Sequence, residues 1–130
     1  MARPSSPHPT ELELEILKIL WRDGPATVHH VREALAPSRK LAYTSVITIM
    51  NIMTDKGYLS RTKEGKGYRY KAWITAKATK RRMLADLVHR AFDGSAAALM
   101  LNLIETGRLD GEELANLRAM IDQKEKEGNP

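Results

Sequence analysis

Thr44, Thr48, Asn51 and Asp55 recur at intervals of three and four along residues 42–57, AYTSVITIMNIMTDKG. They share a short side chain that can form hydrogen bonds. Wound at 3.6 residues per turn with Val46 at 0°, these four fill an arc from about 140° to 200°, while Ile49, Met50, Met53 and Tyr43 lie within about 60° of Val46. One face is therefore core and the opposite face is polar and nearly uncharged. A solvated helix face ordinarily favours Glu, Lys and Arg, because Thr and Asn are poorer helix formers. Short hydrogen-bonding side chains on an exposed helix are suited to reading base edges, and the Thr methyl suits thymine. Ser45 lies near the same arc. The bland alternative is a solvated face with no partner.

A second group follows. Arg61, Lys63, Lys66, Arg69 and Lys71 place five cations against one acid, Glu64, within residues 61–71. Charge on an edge strand can simply guard against aggregation, but this surplus exceeds that need and suits phosphate binding. Arg39 and Lys40, just before the polar helix, can add to it. Residues 1–72 hold 12 Lys and Arg against 7 Asp and Glu, a net +5, whereas residues 73–130 hold 9 of each. The excess positive charge thus lies in the half with the polar helix.

Other chemistries lack support. Zero Cys excludes a disulfide framework, a thiolate metal site and a thiol nucleophile. His29 and His30 are adjacent, so on a helix they point about 100° apart, and no Cys or further His stands at ligand spacing. No Gly-x-Ser-x-Gly, phosphate loop or paired-carboxylate pocket motif appears. Neither an enzyme nor a cofactor is expected. The apolar runs are too short to span a bilayer, and the start, MARPSSPHP, has no secretory apolar stretch. A cytoplasmic location without membrane insertion is expected.

The elements that must position these residues are legible. Thr10-Glu11-Leu12-Glu13 has capping-box order, opening a helix that ends at Asp23-Gly24-Pro25. Thr27 can cap a short second helix ending at Pro37, and the third is the polar helix, closed by Gly57. YLSRTK and YRYKAW alternate about the turn formers EGKG and predict a β-hairpin. Three helices then a basic hairpin is the order of a winged helix-turn-helix, whose third helix enters the major groove. Beyond Trp73 three more helices are predicted, over 76–92, 95–106 and 111–126, the last capped by Asp110. The expected fold is mainly α: a winged helix-turn-helix DNA-binding domain over residues 1–72, and a C-terminal three-helix dimerisation region over 73–130. Apolar stripes there comprise Leu84, Leu87, Val88 and Phe92, then Leu99, Met100, Leu103 and Ile104, then Leu117 and Ile121. Helix 95–106 is apolar over most of its circumference, as a helix covered on more than one side should be, which favours a homodimer over an intrachain bundle.

Several stretches together resemble the BlaI/MecI family of penicillinase and methicillin-resistance repressors, to which CopY repressors are related: Glu13 to Trp21 (ELEILKILW), Tyr43-Thr44-Ser45-Val46, Thr48, Lys56-Gly57, Tyr68 to Tyr70, and Phe92-Asp93-Gly94-Ser95 followed by Leu99. The resemblance implies a homodimeric winged-helix repressor of a pseudo-palindromic operator, with interlocked C-terminal helices. It also implies release by a sensor-linked protease that cuts the dimerisation region at an Asn-Phe step, matched here by Asn102-Leu103. Leu41 stands where the family often has Trp, Ile52 where it has Arg, Leu103 where it has Phe, and the cysteines of copper sensing are absent. The reading that results is a sequence-specific repressor of double-stranded operator DNA; its rival is a winged-helix adaptor that grips a protein partner.

Overall fold

The computed structural model describes residues 8–128, so the first seven residues of the Pro/Ser-rich start lie outside the described residues. Helix α1 spans Glu11–Asp23, strand β1 Ala26–Thr27, α2 Val28–Leu35, α3 Tyr43–Asp55, β2 Leu59–Glu64, β3 Gly67–Ala72, α4 Ala76–Ala91, α5 Ala96–Glu105 and α6 Gly111–Gly128. The chain divides into two compact units, the first reaching Leu84 and the second starting at Ala85. The first unit therefore runs past the expected boundary near Trp73 and takes in the first half of α4, where Thr79 is buried. Trp21 Nε1 donates to the Ile74 carbonyl at 2.9 Å, tying α1 to the segment before α4.

Side-chain caps start several of the helices where the sequence places them, although α3 begins after Ala42 with no side-chain cap. At α1 the Thr10 hydroxyl accepts from the Glu13 N–H and the Glu13 carboxylate accepts from the Thr10 N–H, so the capping box forms. Thr27 caps α2 through the His30 N–H, Ser95 caps α5 through Ala98, and Asp110 and Glu113 form a reciprocal pair at α6. Gly57 ends α3 at φ 85°, a left-handed conformation that suits a residue without Cβ.

Helices α1, α2 and α3 close on one core, with Ile16, Leu17, Val31, Leu35, Val46, Met50 and Met53 buried. Val46, Met50 and Met53 are the buried residues of α3, as its periodicity requires. The sheet order is β1-β3-β2, antiparallel throughout. Two features differ from the expectation. Glu64 pairs with Gly67, so the hairpin turn is the two residues Gly65-Lys66 rather than all of EGKG, with Gly65 at φ 60°; the strong pairing of the flanks pulls one residue from each side into the ladder. β1 pairs Ala26 with Tyr70 and Thr27 with Arg69; two residues are too few to show alternation in a sequence. Trp73, at the hairpin's base, is 67% exposed, with Lys71 Nζ 6.0 Å from its ring centre.

In the second unit, the Asp93-Gly94 corner turns with both residues at positive φ, and Gly94 N–H returns to the Val88 carbonyl at 2.9 Å. Neither α5 nor α6 buries a residue. Leu87, Leu101, Ile104, Leu114, Met120 and Ile121 are large apolar side chains left exposed there, as is Leu84 at the end of the first unit.

Candidate nucleic-acid interface

The buried stripe of α3 fixes which residues it offers outward. Thr44, Ser45, Thr48 and Asp55 are exposed, Asn51 is half-buried, and Ile52 is an exposed apolar neighbour on the same side. Thr48 Oγ1 donates to the Thr44 carbonyl at 2.7 Å. Its proton is thus spent inside the helix, leaving its lone pairs and methyl available to a partner. Asn51 differs: its Oδ1 accepts from Arg61 Nη1 at 2.8 Å and from the Tyr70 hydroxyl at 2.7 Å.

The hairpin cations separate into groups. Direct pairing of Arg61 with Tyr70 and of Lys63 with Tyr68 puts these four on one face, and pairing of Thr62 with Arg69 and of Ser60 with Lys71 defines the other. Arg61 stacks over Tyr68 with Cζ 4.2 Å from the ring centre. Arg69 is engaged elsewhere, with Nε 3.0 Å from Glu64 Oε2 and Nη1 donating to the Pro25 carbonyl at 3.0 Å. Lys66 occupies the turn. Among the described residues Lys63, Lys66 and Lys40 have no ion-pair partner. Arg39 is half-buried and held by Glu15 at 2.7 Å, with Glu11 at 3.9 Å, so its charge is largely answered within the chain. Arg32 Nε donates to the Leu41 carbonyl at 2.9 Å, bracing the link between α2 and α3.

A buried ion pair sets α3 against α1. Lys56, which follows α3, reaches Glu13 Oε2 at 2.9 Å, and the Glu13 side chain is only 5% exposed. Burial opposes ionisation of Glu13, but the Thr10 N–H, Lys56 and the Thr10 hydroxyl outweigh it and hold the carboxyl below its ordinary range. His29 and His30 diverge, His29 stacking on Tyr43 at 4.6 Å and His30 lying 2.8 Å from Asp23 Oδ2. Hydrogen bonds from Arg22 and His30 hold that Asp23 carboxyl well below the carboxylate range. No group of three or more potential metal ligands occurs among the described residues.

Residues 9–123 match the penicillinase repressor family, which covers the capping box, the polar helix, the hairpin and most of the C-terminal helices. The chain belongs to that family. Penicillinase repressors are transcriptional regulators, and the chain is accordingly not an enzyme. Among its relatives, the methicillin resistance regulatory protein MecI of Mammaliicoccus sciuri is 22% identical over 86% of this chain and 91% of that protein. The transcriptional regulator BlaI of Mycobacterium tuberculosis is 29% identical over 88% of this chain and 83% of that protein. Among solved structures, the monomeric form of Bacillus licheniformis BlaI in complex with the blaP half-operator is 23% identical, covers 56% of this chain and 89% of that one, and superposes with a TM-score of 0.47.

In this member of the family the predicted apolar stripes are only partly covered. Leu84, Leu87, Ile104 and Ile121 are exposed, while Val88, Phe92, Leu99, Met100, Leu103 and Leu117 are half-buried. Asn102 is exposed on α5 next to half-buried Leu103. No helix among the described residues is long and apolar enough to cross a membrane. The link that sequence reasoning missed is the meeting of Asn51, Arg61 and Tyr70; the only signal for it was a Tyr recurring every second residue on β3, opposite alternating cations.

Proposed function

We propose that the chain is a homodimeric repressor that binds a pseudo-palindromic operator in the cytoplasm. The observation that carries this reading is the exposed arc of Thr44, Ser45 and Thr48 on a helix seated by Val46, Met50 and Met53, beside a hairpin whose Lys63 and Lys66 have no acidic partner among the described residues. The α3 residues meet base edges, while Lys63, Lys66, Lys40, Arg61, Arg69 and Arg39 meet phosphates; Arg69 and Arg39 carry less, because Glu64 and Glu15 already hold them.

Dimerisation is supported by the second unit. Leu87 on α4 and large apolar side chains on α5 and α6 remain exposed in one chain, and exposed apolar surface of that kind suits a partner. A second copy is the partner that the proposed two-fold operator calls for. Linking two DNA-reading units raises the effective concentration of the second, worth roughly 100- to 10,000-fold in affinity without any new base contact. Scission at Asn102-Leu103 by a sensor-linked protease would remove the last turn of α5, from Leu103 to Glu105, and all of α6, and so release the operator. Membership of the family supports that mode of induction for this chain.

The test is to select bound duplexes from the source genome and to follow their binding as salt rises. A DNA reader selects a two-fold site and loses affinity steeply with salt, because bound phosphates release counterions. An adaptor for a protein partner would select nothing and show little DNA affinity at any salt.

A further inference from the structure

Asn51 is less free than the other polar residues of α3. Its Oδ1 accepts both the Arg61 guanidinium and the Tyr70 hydroxyl. A guanidinium can only donate, so the amide must turn its oxygen to the hairpin, leaving only its NH2 group uncommitted. Arg61 is confined in turn. Its flat face lies on Tyr68 at 4.2 Å, and Tyr68 meets Tyr70 edge-on with ring centres 6.4 Å apart. Tyr70 is fully buried, which anchors the stack to the core. Strand register accounts for the assembly, because Arg61 and Lys63 alternate on one face of β2 opposite Tyr70 and Tyr68.

Held on one face and at one nitrogen, the guanidinium has no carboxylate among the described residues, unlike Arg39 and Arg69. Its place is also informative. Asn51 lies at the side of the exposed arc, where α3 begins to turn toward the core. A helix about 10–12 Å across fills a major groove about 12 Å wide, so residues along its flank face the groove wall, which is sugar and phosphate. An arginine already immobilised there loses little further freedom on binding, and its remaining N–H groups suit a phosphate.

We propose that Arg61 is a preorganised clamp for a backbone phosphate in the corner between α3 and the hairpin, and that Asn51 is a positioning residue that holds this clamp rather than a reader of base edges. The inference deepens the DNA-binding reading above and rests on it. The role assigned to Asn51 differs from that of Thr44 and Thr48, although all three share one helix face.

Full-length Asn51→Ala, Arg61→Ala, the double variant, Arg61→Lys and Tyr68→Leu distinguish the roles. Each is titrated, over a series of salt concentrations, against a short duplex of the sequence that the wild-type chain selects from a random pool and against a scrambled duplex. Arg61→Ala should weaken both duplexes alike and flatten the salt slope by about 0.9, the value for one phosphate. Asn51→Ala should also weaken both alike, leave the selected sequence unchanged, and add nothing to Arg61→Ala in the double variant. Arg61→Lys should keep the salt slope yet lose affinity, since an ammonium keeps the charge without the stacked fork. Tyr68 is exposed, so Tyr68→Leu leaves the core intact and gives the same coupling test should Asn51→Ala fail to fold. The proposal is overturned if Asn51→Ala relaxes the preference at one base pair while sparing the scrambled duplex, if Tyr68→Leu and Arg61→Ala add independently, or if Arg61→Ala leaves the slope unchanged. Wild-type protein that binds neither duplex would instead overturn the DNA-binding reading, and this inference with it.

Discussion

Replacing Lys56 by Met keeps most of the side chain's length and removes its charge, leaving the Glu13 carboxylate almost fully enclosed with the Thr10 N–H, at 2.9 Å, as its main remaining donor. Removing one partner of a buried ion pair costs about 3–5 kcal/mol where the remaining charge cannot escape. Here it can escape by taking a proton. From the ordinary value of 4.5, protonation at pH 7 costs about 3.4 kcal/mol at 1.36 kcal/mol per unit, and at pH 5 about 0.7 kcal/mol. The penalty of the enclosed charge cannot exceed those figures. The wild-type carboxyl is held below 4.5 in the fold, so its contribution is present above that pH and is lost as pH falls through the folded value. In Lys56→Met the lowering influence of Lys56 is gone while burial still opposes the charge, so the variant's deficit should shrink as pH falls. We expect urea unfolding of the full chain, at one fixed protein concentration, to give a loss of about 2–3 kcal/mol at pH 7 that shrinks by at least about 1 kcal/mol at pH 5. Glu13→Gln combined with Lys56→Met should restore most of the loss. Equal losses at both pH values, or none at pH 7, would refute the pair as a structural tie between α1 and α3.

Three further outcomes are expected. Changing Lys63, Lys66 and Arg69 to Ala should weaken selected and scrambled duplexes together and flatten the salt slope by about 0.9 for each phosphate no longer neutralised, with the two lysines responsible for most of it because Glu64 already holds Arg69; titration of the double and triple variants separates their shares. Thr44→Ala or Thr48→Ala should cost about 1–3 kcal/mol on the selected duplex and much less on a scrambled one, and Thr48→Val should be milder than Thr48→Ala because the Thr48 proton is already spent on the Thr44 carbonyl. A fragment of residues 1–101 should sediment as a monomer, keep the helical spectrum of the first unit and bind one half-site weakly; a dimeric fragment with full operator affinity would contradict both the dimer surface and scission as the switch.

What the sequence made legible was local. The core stripe of α3 follows from spacing alone, and the starts of α1 and α6 from capping boxes four residues long. The hairpin was visible as alternation around two glycines, but its tight turn was not, since turn formers also pair when the flanking strands pull them in. Contacts between residues far apart in sequence stayed hidden: Arg39 with Glu15, Lys56 with Glu13, and Asn51 with Arg61 and Tyr70 each join separate elements. For that reason sequence alone presents Arg39 as a phosphate contact and Asn51 as a base reader, whereas the structure gives both of them intramolecular partners. The boundary near Trp73 rested on a change of period and of charge, neither of which reports that the start of α4 packs with the first unit.

Trp73 and Trp21 are the two tryptophans of the chain, and their surroundings could hardly differ more. Trp21 is half-buried with its indole N–H satisfied by a carbonyl, whereas Trp73 is mostly in solvent beside a lysine. Fluorescence from the native protein should therefore have two components: a blue-shifted one that vanishes only when the first unit unfolds, and a red-shifted one open to collisional quenchers. Iodide, drawn by the ammonium of Lys71, should quench the second component more strongly than a neutral quencher does. The protein thus supplies separate optical signals for unfolding and for any partner that covers the base of the hairpin, without an added label.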